Sequence, residues 1–125
     1  MAGTLFSIIE SSMHPDFSAL YNSMDIVETR FTSLRKTINS LKQQPDFIVA
    51  EFLYGYGNNY AGVNISNLDV MLHSLPKYSD KTKVIVLVSK EERQFADKLG
   101  ELFPLHAILQ LPTTASELEA VLLKD

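Results

Sequence analysis

Residues 83–89, Lys-Val-Ile-Val-Leu-Val-Ser, constrain the fold more than any other stretch of this chain. The run is apolar without interruption from Val84 to Val88 and mostly β-branched, which suits a pleated backbone. Because it does not alternate with polar residues, it must be buried on both faces, the mark of a strand inside a parallel sheet. Parallel neighbours are joined by long crossovers, usually helices. The rest of the sequence should therefore alternate between short apolar runs and amphipathic helices.

It does so. Residues 5–9 form an apolar run broken only by Ser7 and stopped at Glu10. Pro15 suits the first turn of a helix, where its missing N–H costs nothing. Phe17, Leu20, Tyr21 and Met24 follow at helical spacing. Residues 25–31 alternate weakly and read as a strand. Leu34, Ile38 and Leu41 mark one helical face, closed by Gln43-Gln44-Pro45, and residues 47–52 are a second apolar run. Residues 92–103 carry Phe95, Leu99, Leu102 and Phe103 as a helix, and residues 106–111 form the last strand. Thr114-Ala115-Ser116-Glu117 is a capping box, and Leu118, Val121 and Leu122 are the inward face of the helix it starts. Five rounds of alternation predict a flavodoxin-like, doubly wound α/β fold: one five-stranded parallel sheet, order 2-1-3-4-5, with helices on both faces.

At 125 residues the chain is long enough for one core, and residues 1–125 read as a single domain. Its net charge of −4 and the lack of a basic run give no footprint for nucleic acid. With no cysteine there is no disulfide, thiolate metal site or thiol nucleophile, and a reducing, cytoplasmic location is expected. The start, Met-Ala-Gly-Thr-Leu-Phe, is not a signal peptide, and no apolar run approaches the roughly 20 residues of a membrane span. Asn64-Ile65-Ser66 matches a glycosylation acceptor, with nothing else pointing to secretion.

In such sheets chemistry gathers at the carboxyl ends of the strands. The ends here are Glu10-Ser11-Ser12, Phe31-Thr32, Glu51-Phe52-Leu53, Ser89-Lys90 and Leu111-Pro112. Glu51 stands out, because a buried run stops on a single acid. It reads as a strand-end carboxylate taking local N–H groups, as a standing mimic of a phosphorylated side chain, or, with Glu10, as a weak magnesium or calcium ligand. His14, His73 and His106 show no metal-ligand spacing. Ser11, Ser12 and His14 lack an aspartate to orient the base, and there is no nucleophile elbow. The loop Leu-Tyr-Gly-Tyr-Gly-Asn-Asn-Tyr-Ala-Gly, residues 53–62, is not a dinucleotide fingerprint, since Tyr60 stands where the last glycine belongs. Tyr54, Tyr56 and Tyr60 among glycines and asparagines instead suit protein recognition, for tyrosine offers a large contact area at low entropic cost. A mobile surface loop is the plainer alternative.

Pro45, Asp46 and the apolar run ending six positions later on Glu51, with Val84–Val88 followed by Ser89, resemble the receiver domain of bacterial two-component response regulators. The resemblance covers nearly the whole chain. It implies that Glu51 occupies the phosphoacceptor position and Ser89 the position of the hydroxyl that binds the phosphoryl group. It likewise places Leu111 where the family carries a lysine, and Glu10, beside Ser11, where an acidic pair would hold magnesium. Ile108 falls on the aromatic switch position. The segment between Glu51 and Ser89 is several residues longer than in ordinary receivers, so the resemblance also implies that the loop of residues 53–62 is an insertion over the old active site. Glu51 is one methylene longer than aspartate, and Leu111 cannot pair with an anion. The expected function is therefore a non-enzymatic pseudo-receiver: a signalling or scaffolding module with a degenerate phosphorylation site, no cofactor and no resident metal, acting on an unidentified protein partner. A weak homodimer is expected through the helical face of residues 91–103 and 114–125. The alternative is a flavodoxin-like domain binding a small anion or nucleotide.

Overall fold

The computed structural model describes residues 3–10, 14–54 and 65–124. Among them are the strands β1 (Gly3–Ile8), β2 (Ile26–Phe31), β3 (Phe47–Glu51), β4 (Lys83–Val88) and β5 (Ala107–Gln110). They form one sheet of order β2-β1-β3-β4-β5, and every neighbouring pair is parallel. The helices are α1 (Ser18–Ser23), α2 (Leu34–Ser40), α3 (Asp69–Ser74), α4 (Arg93–Leu102) and α5 (Ala115–Leu123). The predicted architecture and strand order are thus observed.

The period-2 geometry of a strand divides the core into two layers. Leu5, Phe47, Val49, Ile85 and Leu87 face Tyr21 of α1, its flanking Phe17 and Met24, and Leu118 and Leu122 of α5. Phe6, Ile8, Ile48, Ala50, Val84, Val86 and Val88 face the other way, onto Met71 and Leu72 of α3 and Ala96 and Leu99 of α4. β4 is buried on both faces from Val84 to Val88, as its unbroken sequence requires. Each such side chain contributes roughly 1.5–3 kcal/mol by leaving water, so this strand anchors the sheet.

Local signals mostly hold. The capping box is complete: the Thr114 hydroxyl accepts from the Glu117 N–H at 3.2 Å, and the Glu117 carboxylate accepts from the Thr114 N–H at 3.1 Å. Gln44, at the left-handed φ of 53°, closes the short 3-10 turn Leu41–Gln43 that follows α2. Two expectations change. Pro15 is not in the first turn of α1. That helix starts at Ser18, whose N–H and hydroxyl both bond the Asp16 carboxylate, at 2.9 and 2.6 Å. The alternation implies a third helix without placing it, and α3 supplies it, with Leu68, Met71, Leu72 and Leu75 buried at helical spacing. The weak alternation of β2 reflects its place at the sheet edge, where Val27 stays exposed.

Candidate functional site

The carboxyl ends of β1, β3, β4 and β5 come together as parallel pairing demands, and most of the predicted residues meet there. Glu51, the last residue of β3, lies opposite Leu87 of β4 and is only 3% exposed. Its Oε1 accepts the Glu10 N–H at 2.7 Å. The Glu10 carboxylate in turn accepts from Asn67 Nδ2 at 2.8 Å.

Asn67 organises this end of the sheet and was not singled out by sequence. Its Nδ2 also donates to the Glu51 carbonyl at 3.0 Å, while its Oδ1 accepts the Leu53 N–H at 2.8 Å. Its backbone N–H donates to the Leu53 carbonyl at 3.1 Å. A closed turn holds Asn67 in place. Asp69, buried, accepts from the N–H groups of Ile65 and Ser66 and from the Ser66 hydroxyl, and that hydroxyl accepts the Leu68 N–H. Ser66-x-x-Asp69 is the spacing that could have announced this turn. Ser66 is the third residue of the glycosylation triplet and is 5% exposed; Asn64 lies outside the described residues.

Ser89 directly follows β4, half-buried, and its carbonyl accepts the Glu92 N–H. Leu111 follows β5, its N–H donating to the Val88 carbonyl at 2.7 Å and its side chain packed against the α1/α5 core layer. The Leu111–Pro112 peptide is cis. Ile108 packs against the opposite layer. Glu51, Ser89 and Leu111 border a common cleft of about 630 Å³, closed further by Pro15, Phe52, Leu53 and Pro112 and by Lys90, Glu91 and Glu92.

Tyr54 lies at its rim. Its ring stacks on Phe95 of α4, centroids 3.7 Å apart, and its N–H donates to Glu92 Oε1 at 3.1 Å. One face of the ring is thereby spent inside the molecule, though the residue remains half exposed. Tyr56 and Tyr60 lie outside the described residues.

The acids fit a divalent ion poorly. A hard cation of this kind takes six or more oxygen ligands, whereas here one oxygen of Glu51 and one of Glu10 already hold N–H donors. Among the described residues no group of three or more His, Asp or Glu side chains converges on a point. The histidines are dispersed. His106 Nε2 lies 2.8 Å from the Val121 carbonyl, His73 meets Phe103 edge-on, and His14 Nδ1 lies 2.8 Å from the Pro15 carbonyl. The resolved electrostatic shifts lie between α1 and β2. Hydrogen bonds from Ser18, with Arg30 adding, hold the Asp16 carboxyl down at about 2, and burial, with Glu28 adding, pushes the Tyr21 phenol up.

No family model and no curated protein matches this sequence. Solved structures do. A signal receiver domain from Vibrio parahaemolyticus superposes with a TM-score of 0.72 at 14% identity, over 98% of this chain and 88% of that one. A response regulator receiver protein from Burkholderia phymatum gives 0.69 at 16% identity, over 95% and 94%. The signal receiver domain of a modulated diguanylate cyclase from Desulfovibrio desulfuricans gives 0.67 at 11% identity, over 98% and 91%. The chain has the fold of a response-regulator receiver domain.

Proposed function

We propose that this chain is a non-enzymatic signalling or scaffolding module, a receiver fold that works without phosphorylation and acts through protein–protein contact in the cytoplasm. The observation that carries the reading is Leu111. Phosphoryl transfer to a carboxylate adds charge that a cation must take up, and at this strand end the side chain is apolar, half-buried and packed against the α1/α5 core layer. Glu51, at the acceptor position, is engaged in the backbone of its own sheet end through the Glu10 N–H. A phosphoryl dianion there would stand near Glu10, Glu91 and Glu92, with Lys90 the one cation among the described residues that border the cleft. Crowding like charges at a partly buried site is strongly unfavourable.

Intact-mass measurement after incubation with acetyl phosphate and magnesium tests this. The expected outcome is an unchanged mass. A stoichiometric gain of one phosphoryl group that disappears in Glu51→Ala would overturn it. The partner surface we assign is the rim that carries Tyr54, with Tyr56 and Tyr60 in the same stretch of sequence, because aromatic anchors dominate binding energy more often than rim charges do.

A further inference from the structure

We infer that the free edge of β2 pairs with its own copy in a second chain, antiparallel across a two-fold axis at Thr29. This surface lies at the opposite edge of the sheet from β5 and does not rest on the partner reading.

Three observations carry the inference. The first is which backbone groups are free. Among the described residues β2 pairs with β1 alone. The Phe31 carbonyl accepts the Ile9 N–H at 2.8 Å, so Phe31 turns its backbone groups toward β1, opposite Ile8. Alternation along the strand turns those of Val27 and Thr29 the same way and those of Glu28 and Arg30 outward.

The second is the order of side chains. Val27-Glu28-Thr29-Arg30-Phe31 reads apolar, acid, threonine, base, apolar, with acid and base placed symmetrically about Thr29. An antiparallel copy bonded through the outward groups of Glu28 and Arg30 has few registers. Centred on Thr29, it sets each Glu28 opposite Arg30 of the copy, Thr29 opposite Thr29 and each Val27 opposite Phe31 of the copy. Opposite charges and β-branched–aromatic pairs in that arrangement stabilise a ladder. Centred on Glu28 it sets two carboxylates face to face, and centred on Arg30 two guanidinium groups, both unfavourable. Charges on an edge usually guard it against pairing; here they close the two neighbouring registers and leave this one open.

The third is access. Val27 is 66% exposed, and Thr29 and Arg30 are exposed too. The solvent-facing positions of α1, which packs on β2, are Ala19, Asn22 and Ser23, so this helix brings neither bulk nor charge to the edge. The Arg30 guanidinium already meets Asp16 and Glu28 in its own chain, and the Glu28 carboxylate takes the Ser7 hydroxyl. Charge therefore selects the register and supplies little of the affinity. Residues 27–31 fall well short of the roughly 20–30 residues a side of a standard interface. The contact is weak, and it is read by trapping rather than by sedimentation.

The chain has no cysteine, so single introduced thiols report the register. On mild oxidation of the full chain, Thr29→Cys should give a disulfide-linked dimer, since directly opposed residues of a non-hydrogen-bonded pair stand about 4.5 Å apart at Cα, within disulfide reach. Val27→Cys, although its position is 66% exposed, should link about tenfold or more slowly, because in this register the two copies of residue 27 lie about 13 Å apart along the strands. Adding Arg30→Glu to Thr29→Cys should slow linkage about tenfold or more by opposing acids, and adding Glu28→Arg as well should restore the rate by restoring opposite-sign pairs. Circular dichroism checks that each variant is folded. Were a charge variant unfolded, the comparison of positions 29 and 27 would decide. No linkage at position 29, equal rates at 29 and 27, linkage indifferent to Arg30→Glu in a folded chain, or a folded charge swap that stays slow would each overturn the inference.

Discussion

Asn67 accepts the Leu53 N–H, donates to the Glu51 carbonyl and reaches the Glu10 carboxylate, so one buried amide closes the end of β3 and joins it to the residues after β1. Glu51 is held by the same arrangement, its carboxylate on the Glu10 N–H. The lone acid at the end of an apolar run thus takes an N–H from the residues after β1, 41 positions away in sequence. Asn67→Ala would leave the Leu53 N–H and the Glu51 carbonyl without this partner. Stranding a buried polar group costs about 1–3 kcal/mol, and chemical denaturation should show a loss of that size with an unchanged denaturant slope. A loss within error of zero would mean that water replaces the amide. The Ser66-x-x-Asp69 spacing could announce the turn that carries Asn67, but not its role, because its partner Glu10 is 57 residues away. Glu51 was legible because the run that carries it is itself a strand.

At the scale of elements, legibility follows how local the cause is. The run from Val84 to Val88 and the Thr114–Glu117 capping box act through neighbours in sequence, and both are present as read. The start of α1 was misplaced because Asp16, not Pro15, receives the first N–H. The rim at Tyr54 depends on contacts that sequence does not display: a ring stack on Phe95 from another element, and a bridge to Ser66. That stack holds Tyr54 against the first turn of α4, and Lys98 lies 5.9 Å from the Phe95 ring centroid. If this rim recognises a partner, replacing Tyr54, Tyr56 and Tyr60 together by serine should abolish recovery of that partner in a pull-down; loss of the Tyr54–Phe95 stack, about 0.5–1.5 kcal/mol beyond its buried area, should lower the thermal transition modestly while the chain stays folded. Unchanged recovery would remove the rim as the recognition element.

At the scale of the whole molecule, the proposed homodimer face can now be weighed. Several charges on this face, residues 91–103 and 114–125, are already committed within the chain: Glu92 to Tyr54, Arg93 to Asp97 at 3.2 Å, and Glu117 to its own cap. Exposed ion pairs contribute only about 0–1 kcal/mol each. Leu102 and Leu123, in the last turns of α4 and α5, are each more than half exposed, and burying a leucine contributes roughly 1.5–3 kcal/mol. The dimer we propose is therefore held more by these leucines than by charge. Sedimentation should show weak association that high salt leaves largely intact and Leu102→Lys abolishes; a monomer at all accessible concentrations would eliminate it. The central claim is that this receiver fold does its work without a phosphorylation switch. The most direct test is the amide NMR spectrum of the labelled chain before and after addition of magnesium and acetyl phosphate. The account predicts superimposable signals for Glu51, Ser89, Ile108 and Leu111. New signals at those four positions, absent in Glu51→Ala, would contradict it.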